Sequence, residues 1–477
     1  MASKTTLNAK NLEALGAAKL AELALELAQG DAAAKRRLKI ALAAAASPGE
    51  AAREIRKRLT TIDTSRSRIG WRRMSAFVAD LEMQRTAIAG TIGPVDPAEA
   101  LDLMWRFLSL APGIFERTED GSGHVSAVFD NALDDLAALA ATVRPSPEAL
   151  AERVFAALQE NDHGQYEGVV GRLAPVLGAG GLAHLKSRLE ALGAEADTPP
   201  PEDERVVVGW SPAGPLYAHD LERTRRTMTV RLGLRDVAEA SGDVDAYIAQ
   251  YDAKARKVPS IAADLAARLI AAGRAAEALE ILAASARSSL PRPPEWDAAK
   301  TAALEALDRL DEAQAYRWEG FEATLDPAPL RAFIKRLPDF EDFEAEERAI
   351  AFASAHPDAL TALAFLTAWP ARRAAAALVL SRIAELDGSV YEVLVPAAEA
   401  LEAEHPLAAT LLLRALIDDT LAASRSKRYR HAARHLTTLV ALAPRIDNFG
   451  PFAPHDAYVA RLDEIYRRRS AFWSAVG

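Results

Sequence analysis

The 477-residue chain contains no cysteine. That excludes disulfides, thiolate metal sites and a cysteine nucleophile, and it fits a reducing compartment. Aromatic residues make up only 6% of the chain, so few large rings are available to fill a thick core. No apolar run reaches the ~18 residues needed to span a bilayer; "AAAALVLSRIAEL" is interrupted by Arg382 and Glu385. The opening "MASKTTLNAKNLEALG" has no apolar h-region, so no secretory signal is read and a cytoplasmic location is expected, with no membrane partner. Runs of β-branched residues are scarce, the clearest being "RVVVGW" at 205–210. The phosphate-loop pattern GxxxxGK[ST] and the nucleophile elbow GxSxG are both missing, which removes two common enzyme templates.

What is present is alanine, helix punctuation and charge. Half the residues are hydrophobic and 26% are charged, the balance of a globular protein. Much of the apolar share is alanine, which buries little area but is the best helix former. The length suggests two or three domains. The net charge of −10 hides a polarity: residues 31–73 hold twelve Lys/Arg against four Asp/Glu, whereas "DFEDFEAEE" (339–347) has six acids in nine positions. An acidic protein is no general nucleic-acid binder, but one basic segment can still meet an anionic partner.

Helix starts recur in one format, a turn residue followed by proline, acids and alanines. Examples are "SPGEAAREI" (47–55), "DPAEALDLM" (96–104), "SPEALAERV" (146–154), "DPAPLRAFI" (326–334) and "HPDALTALA" (356–364). A Ser or Asp cap accepts from first-turn N–H groups, and proline lacks the N–H that would go unpaired there. Apolar residues then keep helical spacing, as in Ile55, Leu59 and Ile62, or Val125, Phe129, Leu133 and Leu136. The acidic, proline-rich "EADTPPPEDE" is the clearest linker. It predicts an N-terminal helical domain over 1–194, a linker over 195–214 and a helical-repeat domain over 215–477. In that last part "AADLAARLIAAGRAAEALEILAASA" (262–286) reads as one helix ending at Gly273 and a second starting at once. "WDAAKTAALEALDRLDEAQAYRWEGFEATL" (296–325) repeats the plan. This is the style of tetratricopeptide-like repeats, so the predicted fold is all-α, a tetratricopeptide-like α-solenoid behind an N-terminal helical domain.

Several stretches carry a family resemblance: "LNAKNLEALGAAKLAELALELA", "DPAEALDLMWRFL", "GLAHLKSRLEAL", "SGDVDAYIAQ", "LIAAGRAAEALEIL", "SKRYRHAARHL" and "PHDAYVARLDEIYRRRSAFW". Together they resemble an uncharacterised bacterial family of domain-of-unknown-function proteins. The C-terminal portion is also similar to the helical region following the zinc finger in SWIM-type zinc-finger proteins. That finger needs cysteines with a histidine, and this chain has no cysteine, so its nucleic-acid binding is not carried over. The resemblance implies a helical-repeat architecture and no assigned activity.

Three charged clusters are candidate sites. In "RSKRYRHAARHL" (425–436), a helical wheel puts Tyr429, Ala432, Ala433, Leu436, Leu439 and Val440 on an apolar arc. Arg425, Lys427, Arg428, Arg430, His431, Arg434 and His435 lie outside that arc. With Arg467, Arg468 and Arg469 they are expected to line a solenoid surface that docks an acidic protein or peptide; pairing with the protein's own acids is the competing reading. The second cluster is the N-terminal block, where Arg53, Arg56, Lys57, Arg58, Arg72 and Arg73, with Trp71 among them, form an alternative anion or nucleic-acid surface. The third is a metal-dependent reading on His431, His435 and His455 or Asp456. It lacks the Glu of an HExxH helix, because position 432 is alanine.

Other polar stretches read as structure. "GAGGLA" (178–183) follows a helix-like segment and not a strand, so it is a helix connection and not a dinucleotide loop. "NDHGQY" (161–166) reads as a turn, and His219–Asp220 as an isolated pair. The histidines at 356 and 405 precede prolines at helix starts. The tryptophans at 71, 105, 296, 318, 369 and 473 read as inter-helix packing. No cofactor is expected, and the predicted function is a non-enzymatic scaffold or adaptor.

Overall fold

The proline-started segments become helices by the expected capping. Ser47 accepts from the Glu50 N–H at 3.2 Å, Asp96 from Glu99 at 3.1 Å, Ser146 from Ala149 at 3.3 Å and Asp326 from Ala328 at 2.8 Å. The start near 356 differs. Asp358, not His356, is the cap, accepting from Leu360 at 3.0 Å, and the helix runs Ala359–Ala368. Asp358 has the short acceptor side chain that His356 lacks.

The computed structural model describes residues 7–30, 32–196, 198–212 and 214–476. The described residues are overwhelmingly helical, and their one sheet is an antiparallel hairpin, Val207–Ser211 with Gly214–Tyr217. The hairpin starts in the β-branched run and lies at the end of the polar 195–214 stretch. The next helix, Ala218–Ser241, packs on Val169–Gly193. Gly233 allows that approach, since a Cβ there would lie 2.9 Å from the Leu189 side chain. Within Val169–Gly193 the helix breaks at Gly178, in the "GAGGLA" segment.

The chain divides into two compact units, Met1–Arg256 and Lys257–Gly477. In the first, the helices Pro48–Thr64, Trp71–Ala87, Pro97–Leu108, His124–Val143, Pro147–Gln159 and Val169–Gly193 share one core. Ile55, Leu59, Leu103, Met104, Phe107 and Phe129 are all buried in it, including the stripes expected from spacing.

The second unit is a series of helix pairs, from Pro259–Ala271 with Ala275–Ser285 to Tyr391–Leu401 with Pro406–Ala422. Packing runs mainly between consecutive and next-but-one helices, the nearest-neighbour pattern of a helical repeat. Its turns show the repeat more clearly than its sequence does. At the end of Pro259–Ala271, Arg274 N donates to Leu269 O at 2.8 Å and Gly273 N to Ile270 O at 2.9 Å, a Schellman closure with Gly273 at φ 75°. Thirty-five residues on, Arg309 N donates to Leu304 O at 2.9 Å and Asp308 N to Glu305 O at 3.0 Å, with Asp308 at φ 57°. The two following arginines also match, Arg274 gripping Glu277 and Arg309 gripping Glu312 with two bonds each. The same closure recurs where Asp243 N meets Ala238 O at 2.9 Å in the first unit, and where Arg425 N meets Thr420 O at 3.1 Å in the second. No helix among the described residues is long and apolar enough to cross a membrane.

Candidate functional site

The basic segment 425–436 is a short 3₁₀ turn, Ser426–Arg428, leading into the helix Tyr429–Leu442. Tyr429, Ala432, Ala433, Leu436 and Leu439 are buried as expected, but Val440 is 56% exposed and Leu442 is buried instead. The neighbouring helices cover the stripe more narrowly than a wheel suggests, since Pro406–Ala422 and Ser470–Val476 supply the packing.

The cations around that stripe divide into engaged and open ones. Arg425 pairs with Asp419 at 3.1 Å, and Arg428 stacks 4.2 Å from the Tyr391 ring centre. Arg434 donates to His431 Nδ1 at 2.6 Å, which needs that nitrogen as an acceptor. Burial first, with the neighbouring Arg434 guanidinium adding to it, holds the His435 imidazole below its ordinary value. Lys427 and Arg430 are exposed. Arg467, Arg468 and Arg469 are not inside a last helix: they occupy the turn between His455–Tyr466 and Ser470–Val476. Arg467 reaches Asp463 at 3.1 Å, and Arg469 bonds the Ser424 hydroxyl, which brings it beside the start of the basic segment.

The metal reading does not assemble. No group of three His, Asp or Glu converges among the described residues. His455 instead lies near Arg414; burial and that guanidinium push its imidazole below the ordinary value. Arg414, unnoticed in the sequence, is 6% exposed, donates to Ala453 O at 2.7 Å and stacks 4.5 Å over Tyr458. A fixed cation there opposes a metal ion.

The N-terminal block is largely built into its own unit. Arg58 and Arg36 both bind Asp80, each through Nε at 3.0 Å, and Asp80 is 2% exposed. Arg56 pairs with Glu99, and Arg73 donates to Arg68 O at 2.6 Å. Arg53 and Lys57 are exposed. Trp71 is 80% exposed and stacked by Arg72 at 5.0 Å, so it is not inter-helix packing; no helix among the described residues covers that first residue of Trp71–Ala87. Trp105, Trp296 and Trp318 are buried, as expected. Spacing did not reveal Asp80, because its partners lie 44 and 22 residues away.

One further feature belongs to the repeat unit. A groove of about 890 Å³ runs between Glu341–Ser354 and Arg372–Arg382. Ile350, Ala351, Ala374, Ala377 and Leu378 line it. Its serines are turned back on their own helices, Ser354 to Ile350 O and Ser381 to Ala377 O, which leaves the walls mostly apolar. Arg372, paired with Glu404 at 2.7 Å, and Arg373 stand at its rim.

A family model described as "Family of unknown function (DUF6880)" matches residues 2–475, and the chain belongs to that family. No curated protein matches. A solved structure described as "Structure of Naa15/Naa10 bound to HypK-THB" aligns over 93% of this chain and 67% of that one, at 13% identity and a TM-score of 0.31. At that score the likeness supports no functional comparison.

Proposed function

We propose that this member of a family of unknown function is a non-enzymatic scaffold whose helical-repeat unit holds a protein or peptide partner. The observation behind this reading is the 890 Å³ groove between successive helix pairs, apolar along its walls and charged at its rim. Grooves between stacked helices suit an extended or helical segment, whose apolar side chains find the walls while polar ends meet the rim. The exposed cations Lys427, Arg430 and Arg468 make an acidic segment the preferred occupant of the C-terminal surface, with Arg425, Arg428, Arg434, His431, His435, Arg467 and Arg469 as the framework around them. Their small net contribution when solvated is consistent with a role in steering and selectivity rather than in stability.

The test is affinity purification of the full-length chain from its native cell, with two variants beside it. Ala351→Trp with Ala377→Trp fills the groove; Lys427→Glu with Arg430→Glu and Arg468→Glu reverses the basic face. A stoichiometric partner retained by the unaltered chain and lost with the groove variant supports the reading. Loss with the charge variant alone moves the contact to the basic face. A clean purification with no partner from any of the three sinks the proposal.

A further inference from the structure

Independent of the partner reading, the first unit contains a small pocket lined by Arg36, Lys39, Glu54, Lys57, Arg58 and Gln84. Three consecutive helices build it: Ala32–Ala46, Pro48–Thr64 and Trp71–Ala87. Its volume is about 160 Å³. A water occupies roughly 30 Å³ of liquid, so the space suits a group of a few heavy atoms. Four cations face it, against Glu54 on the lining and Asp80 behind.

Two observations make this more than a basic patch. First, Asp80 fixes both arginines, which line the pocket: it takes the Nε of Arg36 and the Nε and Nη2 of Arg58, so these bonds do not use the other guanidinium donors. Lys39 and Lys57 are exposed and stand at its mouth. Second, Gln84, one helical turn after Asp80, is 0% exposed, and neither its Nε2 nor its Oε1 has a hydrogen-bond partner among the described residues. A buried amide without partners costs about 1–3 kcal/mol. Such a group is retained at a cost unless something in the pocket accepts its N–H.

We propose that this pocket binds one phosphate-class oxyanion, held by Lys39, Lys57 and the other guanidinium donors of Arg36 and Arg58, with Gln84 donating from the buried end. Guanidinium and ammonium donors from two helices, with the Gln84 amide on the third, match the several acceptor oxygens of a tetrahedral anion. The four cations exceed the two nearby carboxylates, so the pocket attracts an anion even with Asp80 in place.

Calorimetric titration of the full chain with sodium phosphate, and separately with glycerol 3-phosphate, tests this against sodium chloride at matched ionic strength. Saturable one-to-one binding is expected, with a melting-temperature rise of about 5 °C at a hundredfold excess over Kd. Binding of inorganic phosphate identifies the free anion as sufficient; binding of the monoester alone identifies an organic phosphate. Lys39→Ala and Lys57→Ala should each weaken binding about tenfold. Gln84→Leu should lose the phosphate-induced rise while melting no lower than the unaltered chain in chloride, because it removes an unpaired buried amide. Should Gln84→Leu fail to fold, the two exposed lysines still decide. Absence of heat and of any rise beyond chloride with both anions overturns the proposal, and so does binding that survives the Lys39→Ala/Lys57→Ala double substitution.

Discussion

Each unit joins one carboxylate to two guanidinium groups, across three consecutive helices in the first and across Pro294–Ala306, Leu310–Thr324 and the turn after Pro327–Ile334 in the second, but the two units bury opposite partners. In the first, Asp80 is 2% exposed while the side chains of Arg36 and Arg58 keep 30% and 26% of their surface. In the second, Arg317 is 5% exposed while Glu305 keeps 28% and Arg336 42%. Arg317 has a further acceptor in Gln314 Oε1 at 2.9 Å. A buried charge is costly to strand, whereas an exposed one rehydrates. Mutational sensitivity should therefore invert between the units, being greatest on the arginine side in the first and on the carboxylate side in the second.

The largest expected effect comes from stranding Asp80. Arg36→Ala with Arg58→Ala should destabilise the first unit by about 3–5 kcal/mol, and Asp80→Asn in that background should recover most of the loss. Denaturant unfolding of the three proteins checks it; equal losses with and without Asp80 would break the comparison. Next is Glu305→Gln, which strands Arg317. It should cost the second unit about 2 kcal/mol, less than the first case because Arg336 is solvated and Gln314 still accepts. Burial alone would raise the Glu305 carboxyl, but the hydrogen bonds and charges of Arg336 and Arg317 outweigh it and hold the group below its ordinary 4.5. The sign follows from that depression. The contribution is complete above pH 4.5 and is lost as pH falls through the lower folded value, so the gap between the unaltered chain and Glu305→Gln should be constant from pH 7 down to about 4.5 and shrink progressively below it.

The smallest effect lies in the repeated turns of the second unit. Gly273→Ala should cost about 1 kcal/mol, because alanine resists the left-handed conformation, and Asp308→Gly at the matching turn should gain a few tenths. Melting temperatures measured on both variants would show whether the two turns are equivalent.

The features legible in the sequence are those made by near neighbours along the chain. Ser47, Asp96, Ser146 and Asp326 cap helices whose first turns lie two or three residues away. The stripes of the His124–Val143 and Tyr429–Leu442 helices follow the 3.6-residue period. Errors begin where the opposing surface decides. Val440 and Leu442 are both apolar and two residues apart, and only the neighbouring helices select Leu442 for burial. Trp71 is a large apolar side chain of the kind cores use, yet it is exposed at the first position of its helix. The equivalence of Gly273 and Asp308 is invisible to residue type, since one is glycine and the other an acid, yet both turns close with the same pair of backbone bonds.

The same division separates what each level determined about the candidate sites. Composition and spacing were enough to establish an all-helical protein with paired C-terminal helices and two basic segments, because propensity, capping and periodicity act within about four residues. Which of those cations are spent and which remain open was settled only in the folded chain. Arg58 is held by a buried Asp80 while Lys57 beside it is exposed, and Gln84 becomes a buried, unpartnered amide only when three helices close around it. Charge pairing and desolvation depend on groups tens of residues away, and no local pattern records them.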